Sequence, residues 1–132
     1  MSEPRHFASS VDRLPATVDA PSAGREAASK LLGQLGAGQG RADDLALVVS
    51  ELVTNAVLHG PGPEIELRLV GTGATIRVEV SDEGVQPFEW PAVMDGHRGL
   101  GFVRIFSERS GVIRRPWTVV WCELDLNGST AR

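Results

Sequence analysis

Apolar positions along the chain follow two periods. Ile65, Leu67 and Leu69 alternate with Glu64, Glu66 and Arg68, and Ile76, Val78 and Val80 alternate with Arg77 and Glu79. A period of two marks a half-buried strand. The short link Gly71-Thr72-Gly73 joins the two runs as a hairpin. Val120, Cys122, Leu124 and Leu126 predict a strand over 118–126, with a shorter one over 111–114 and weaker strand character over 7–14. Elsewhere the spacing is helical. Pro21 suits the first turn of a helix that continues through Ala27, Ala28, Leu31, Leu32 and Leu35, and the glycines at 36, 38 and 40 stop it. A stronger helix is expected over 43–59, with Asp43 and Asp44 at its positive end and Gly60-Pro61 closing it. A third is expected near 100–109.

Helices and strands are partly segregated, and the strand pairs have hairpin-length links. That arrangement predicts an α+β domain, a two-layer sandwich with helices on one face of an antiparallel or mixed sheet. At 132 residues the chain fits one domain, expected over 7–126, with residues 1–6 a disordered start and 127–132 a flexible tail. With 42% hydrophobic and 23% charged residues, its composition is that of an ordinary globular protein. The single cysteine, Cys122, excludes an internal disulfide and a multi-cysteine zinc site. No apolar run reaches membrane-span length and no secretory segment opens the chain, so a cytoplasmic protein without membrane contact is expected. A net charge of −4 argues against direct nucleic-acid binding. One basic run stands out against that balance: Arg98, Arg104, Arg109, Arg114 and Arg115, with Glu108 the one acid among them.

Candidate chemistry sits in three places. The second helix is apolar nearly all round, yet Glu51, Asn55 and His59 stack on one stripe at i, i+4 and i+8. A carboxylate on a buried helix is costly unless it is paired, so the stripe implies either internal partners or a wet cleft. His59 has an ordinary explanation in the negative C-terminal end of the helix. The second place is Asp82-Glu83-Gly84, where a carboxylate ends a buried strand and the glycine lets the backbone turn or approach a flat ligand. The third is Gly96-His97-Arg98-Gly99-Leu100-Gly101, whose glycines precede a helix and leave backbone N–H groups open to an anion, with Arg98 beside them. Taken singly, the last two also read as common turns.

Their order is more specific than any one of them. Ser50-Glu51-Leu52-Val53-Thr54-Asn55-Ala56-Val57-Leu58-His59-Gly60, then Asp82-x-Gly84, then Gly99-x-Gly101, then Thr118 in a late strand, resembles the GHKL (Bergerat) ATP-binding domain. Within that superfamily it is most similar to the bacterial anti-sigma-factor serine kinases and their stand-alone actinobacterial relatives. The resemblance spans about residues 7–126 and implies a two-layer sandwich holding ATP and Mg²⁺. It implies that Asn55 ligates the metal and that Glu51 is the general base for a substrate serine. Asp82 would bond the adenine amine, with Gly84 allowing the ring to lie close. Gly99, Leu100 and Gly101, with Arg98, would meet the phosphates, and Thr118 would lie near the nucleotide. The implied partners are a sigma factor and an anti-sigma-antagonist protein, and a homodimer is in keeping with the family. Gln86 and His97 stand where the family often has glycine, and the stretch between Gly84 and Gly99 is short and holds Pro87 and Pro91. These departures motivate an alternative, a non-catalytic or degenerate nucleotide-dependent module that regulates a partner. A third reading is a structural α+β domain with its polar stripe internally paired. No nucleophile elbow is present, and Lys30, the only lysine, follows no phosphate-loop pattern.

Overall fold

The computed structural model describes residues 7–36, 39–59, 62–72, 74–82, 107–113 and 118–126. In chain order these form β1 (Phe7–Pro15), α1 (Ala20–Leu35), a single 3₁₀ turn (Gln39–Arg41), α2 (Ala42–His59), β2 (Glu64–Thr72), β3 (Thr75–Asp82), β4 (Arg109–Ile113) and β5 (Val119–Asp125). The strands make one sheet in the order β1-β2-β3-β5-β4. Every described pairing is antiparallel, which resolves the expected antiparallel or mixed sheet.

Alternation does the sorting. Ile65, Leu67, Leu69, Ile76, Val78, Val80, Val120, Cys122 and Leu124 are buried beneath the helices. On the outer face Arg77 stacks over the Trp121 ring at 4.1 Å and pairs with Glu79 and Glu123. The helices supply the other half of the core. Leu45, Val48, Val49, Leu52 and Val53 of α2 and Leu31, Leu32 and Leu35 of α1 are buried with the sheet residues. Gly36 ends α1 in the left-handed region, at φ 66°, where glycine carries no Cβ penalty. Gly71 matters for a different reason: a Cβ there would sit 2.5 Å from Leu35 Cδ1, so any side chain would make the Leu35 tip give way where the end of α1 closes onto β2. Cys122 is buried, and burial pushes its thiol up to about 12, which leaves it unreactive at neutral pH.

Two expectations shift. The helix expected near 100–109 does not extend to its last residue, because Arg109 opens β4; residues 100–106 lie outside the described residues. Glu108 N–H already bonds Glu123 C=O at 2.9 Å, so the chain is aligned with β5 before Arg109 is reached. Arg109, from the basic run, is taken up by Glu123 at 2.6 Å and Asp125 at 2.8 Å. The other arginines of that run lie outside the described residues.

One charged cluster ties the layers together. Arg41 is only 3% exposed. Its Nε meets Asp44 Oδ2 at 3.1 Å, and Nη1 donates to Glu108 Oε1 at 2.9 Å and to the Asp125 carbonyl at 2.8 Å. One guanidinium thus joins the start of α2, the approach to β4 and the end of β5. Removing one partner of such a buried pair leaves the other charges desolvated and unpaired. Arg41→Ala should therefore cost about 3–5 kcal/mol, read as a fall in Tm of about 10 °C or more by calorimetry.

Candidate functional site

α2 carries the polar stripe because its other faces are committed to the core. Asn55 is 6% exposed and Glu51 is half-buried. The Asn55 amide turns back on its own helix, Nδ2 donating to the Glu51 carbonyl at 2.8 Å. That bond consumes an amide N–H and fixes the side chain with Oδ1 as its acceptor. An oriented amide oxygen is the kind of ligand a hard divalent cation takes. Burial raises the Glu51 carboxyl above the ordinary glutamate range, with no opposing charge or hydrogen bond among the described residues to hold it down. A carboxylate in that state is a better base than a solvated one. Arg25 of α1 donates to Ser50 Oγ at 2.8 Å, bringing a guanidinium to the residue next to Glu51. Arg25 was not foreseen from the sequence, because spacing within α1 carries no sign of which α2 residue it reaches.

The sheet brings two further candidates together. Asp82 ends β3 opposite Ile65 of β2. Ser81 pairs with Val119, and one more step of that register sets Asp82 beside Thr118 on the neighbouring strand. Thr118 is 1% exposed, and its Oγ1 has no hydrogen-bond partner among the described residues. A buried hydroxyl left unmatched costs about 1–3 kcal/mol, so it marks a place where a further polar group would be welcome. Only residues 60–63 separate α2 from β2, whose first residues lie opposite the end of β3. The C-terminal half of α2 and the Asp82–Thr118 pair therefore stand at the same end of the domain. The oriented Asn55 oxygen and the unmatched Thr118 hydroxyl lie at the same end of the domain, and both are groups of a kind that a nucleotide with a divalent cation can use.

The side chains of His59 and Asp82, and the whole of Gly84, Arg98, Gly99, Leu100 and Gly101, lie outside the described residues. Among the described residues no cluster of histidine, cysteine, aspartate or glutamate could by itself hold a metal. Among them, too, no helix is long and apolar enough to cross a membrane.

Comparison with known proteins bears on the family and the fold. The family model described as a histidine kinase-like ATPase domain matches residues 14–114. Among solved structures, the chain is similar to the RsbU and RsbW domains of Rv1364c from Mycobacterium tuberculosis, with 22% identity and a TM-score of 0.66. The match covers 89% of this chain and 32% of that one, so the chain spans about a third of the length of its structural relative. No curated protein matches the chain.

The raised Glu51 carboxyl has a sign that can be checked. A folded-state value above the unfolded one means that the native protein favours the neutral acid. The stabilisation is whole below the unfolded value and is lost as pH rises through the folded value. Above the folded-state value the ionised carboxylate is the disfavoured form, so Glu51→Gln should raise Tm at pH well above the ordinary glutamate range. The gain should vanish as pH falls below the ordinary glutamate range in paired thermal melts.

Proposed function

The chain belongs to the family of histidine kinase-like ATPase domains, and from that premise we propose that it is an ATP- and Mg²⁺-dependent serine kinase of the anti-sigma-factor type. Its substrate would be an anti-sigma-antagonist protein and its regulatory target a sigma factor. The observation that carries this reading is the Glu51–Asn55 pair, an amide held in one orientation one helical turn from a partly desolvated carboxylate.

Each residue has a part that its chemistry suits. Asn55 Oδ1 would contribute one oxygen to Mg²⁺, which takes few protein ligands when phosphates supply the rest. Asp82 would accept a hydrogen bond from the adenine amine, with Gly84 keeping the backbone low beneath the ring. Gly99, Leu100 and Gly101 would offer backbone amides to the phosphates, and Arg98 a charge-assisted contact. Thr118 would give its unmatched hydroxyl to the nucleotide. The substrate serine oxygen forms a bond to the γ-phosphorus as the bond to the β,γ-bridging oxygen breaks. Glu51 takes the serine proton and ADP leaves. Such a transfer depends mainly on positioning and charge neutralisation.

A second reading has its own observation. Gln86 and His97 occupy positions where the family often has glycine, and the stretch linking the second and third motifs is short. A degenerate, non-catalytic module that binds a partner would look the same in α2 and differ there.

Calorimetric titration and a transfer assay together separate the two. Saturable ATP binding that Mg²⁺ strengthens and Asp82→Asn weakens is what the kinase and a nucleotide-dependent non-catalytic module both require, and no binding up to millimolar nucleotide favours the degenerate module. Asn55→Ala should weaken Mg·ATP by about tenfold or more while leaving metal-free nucleotide nearly unchanged; equal losses would remove Asn55 as a ligand. Glu51→Ala should retain nucleotide but lower phosphate transfer to the cognate antagonist by roughly 10²–10⁴-fold. An unchanged rate would remove Glu51 as the base.

A further inference from the structure

β1 breaks the alternation that sorts the rest of the sheet. Its helix-side positions run Ala8, Ser10, Asp12 and Leu14. Ala8 and Leu14 are buried in the core, yet the two positions between them are polar. Facing them, α1 presents Ala27, Lys30, Leu31 and Gln34, which fall at i, i+3, i+4 and i+7 on one stripe. Between strand and helix lies a concavity of about 140 Å³ lined by Ser10, Asp12 and that stripe. Ser10 Oγ is shielded from solvent without a hydrogen-bond partner among the described residues, a state that lowers stability. Asp12 and Lys30 carry opposite charges into the same concavity, yet no ion pair joins them. Among the described residues neither they nor Gln34 has a side-chain partner. Buried Leu31 and half-buried Ala27 supply an apolar wall.

The lining thus offers a carboxylate acceptor on the strand, an ammonium donor on the helix, a hydroxyl and an amide that both give and accept, and an apolar wall. Its charges cancel, so a matching ligand is neutral overall and carries both signs. A cavity of about 150 Å³ holds a benzene ring, which sets the size of the body that fits. A nucleotide is too large, a sugar would set hydroxyls against Leu31, and a divalent cation would find a single carboxylate. We propose that this seam binds a free α-amino acid with a branched aliphatic side chain. The ammonium group donates to Asp12. Ser10, whose hydroxyl holds no bond and is free to turn about χ1, accepts from the same group. The ligand carboxylate accepts from Lys30 and Gln34, and the aliphatic body lies on Leu31 and Ala27. A head group with both charges completes Asp12 and Lys30 together, where an amine or an acid alone leaves one of them unmatched. These residues belong to β1 and α1 and none is in the candidate nucleotide site, so the inference does not rest on that reading.

The test is an amide NMR titration of the full chain without nucleotide, using L-leucine and L-valine as probes. Either amino acid should shift the amides of Ser10, Asp12, Lys30, Leu31 and Gln34 saturably. Isoamylamine and isocaproate keep the aliphatic body and one charge each, and should bind about tenfold or more weakly. Asp12→Asn and Lys30→Gln should each weaken L-leucine by about fivefold or more, with an unchanged circular dichroism spectrum. Ser10→Ala separates a ligand group from a packing residue. It should hold or raise the Tm of the free protein, because an unmatched hydroxyl is removed, and yet weaken L-leucine by about fivefold. No saturable shift with either amino acid up to about 10 mM would overturn the proposal. So would isoamylamine or isocaproate binding as well as L-leucine, or L-leucine binding that all three variants leave unchanged.

Discussion

The structure depends on burying α2. Its residues Leu45, Val48, Val49, Leu52, Val53 and Ala56 are all nearly inaccessible, which requires a sheet below and a helix alongside. A side chain such as leucine gains about 1.5–3 kcal/mol on full burial, and the row as a whole makes any arrangement that exposes α2 untenable. The covering helix must come close. A Cβ on Gly24 of α1 would lie 3.0 Å from Val49 Cγ1 and 3.3 Å from Val53 Cγ2, so the absence of a side chain there lets α1 settle against α2. With both helices on one side, the alternating strands have a single face to bury.

That burial is also what gives the polar stripe its chemistry. On an exposed helix Glu51 would be one more solvated acid and Asn55 a poor helix former. Pressed into the core, Asn55 satisfies its N–H through the Glu51 carbonyl and keeps one orientation, while desolvation lifts the Glu51 carboxyl. Among the described residues the stripe is thus neither fully paired nor fully solvated. It is partly satisfied, with an oxygen and a carboxylate remaining for something else.

Much of this was legible in the sequence, because it rests on local periodicity. β2, β3 and β5 follow from strict alternation, α2 from its apolar run and its Gly60-Pro61 stop, and the GHKL family from the order of motifs around Glu51, Asn55, Asp82 and Thr118. What escaped is what depends on distant partners. Arg41 bonds Glu108 across most of the chain, and no spacing rule pairs residues so far apart. Arg109 sits in a segment with helical spacing, yet the anchoring of Glu108 to Glu123 and Arg41 commits it to a strand. The order β3-β5-β4, which sets Thr118 beside Asp82, likewise comes from register and not from any local signal.

The two ends of α2 complete the physical picture. At its N-terminal end, Arg41 binds Asp44 Oδ2, Glu108 Oε1 and the Asp125 carbonyl in one cluster. At the other end of the domain, Glu51 is desolvated and the Thr118 hydroxyl is unmatched. Polar groups left in such a state lower stability, and a marginally stable domain tolerates them only where the rest is well satisfied. The three bonds from Arg41 tie the start of α2 to the approach to β4 and the end of β5. A polar group brought to the Thr118 hydroxyl would relieve its cost without any movement of α2.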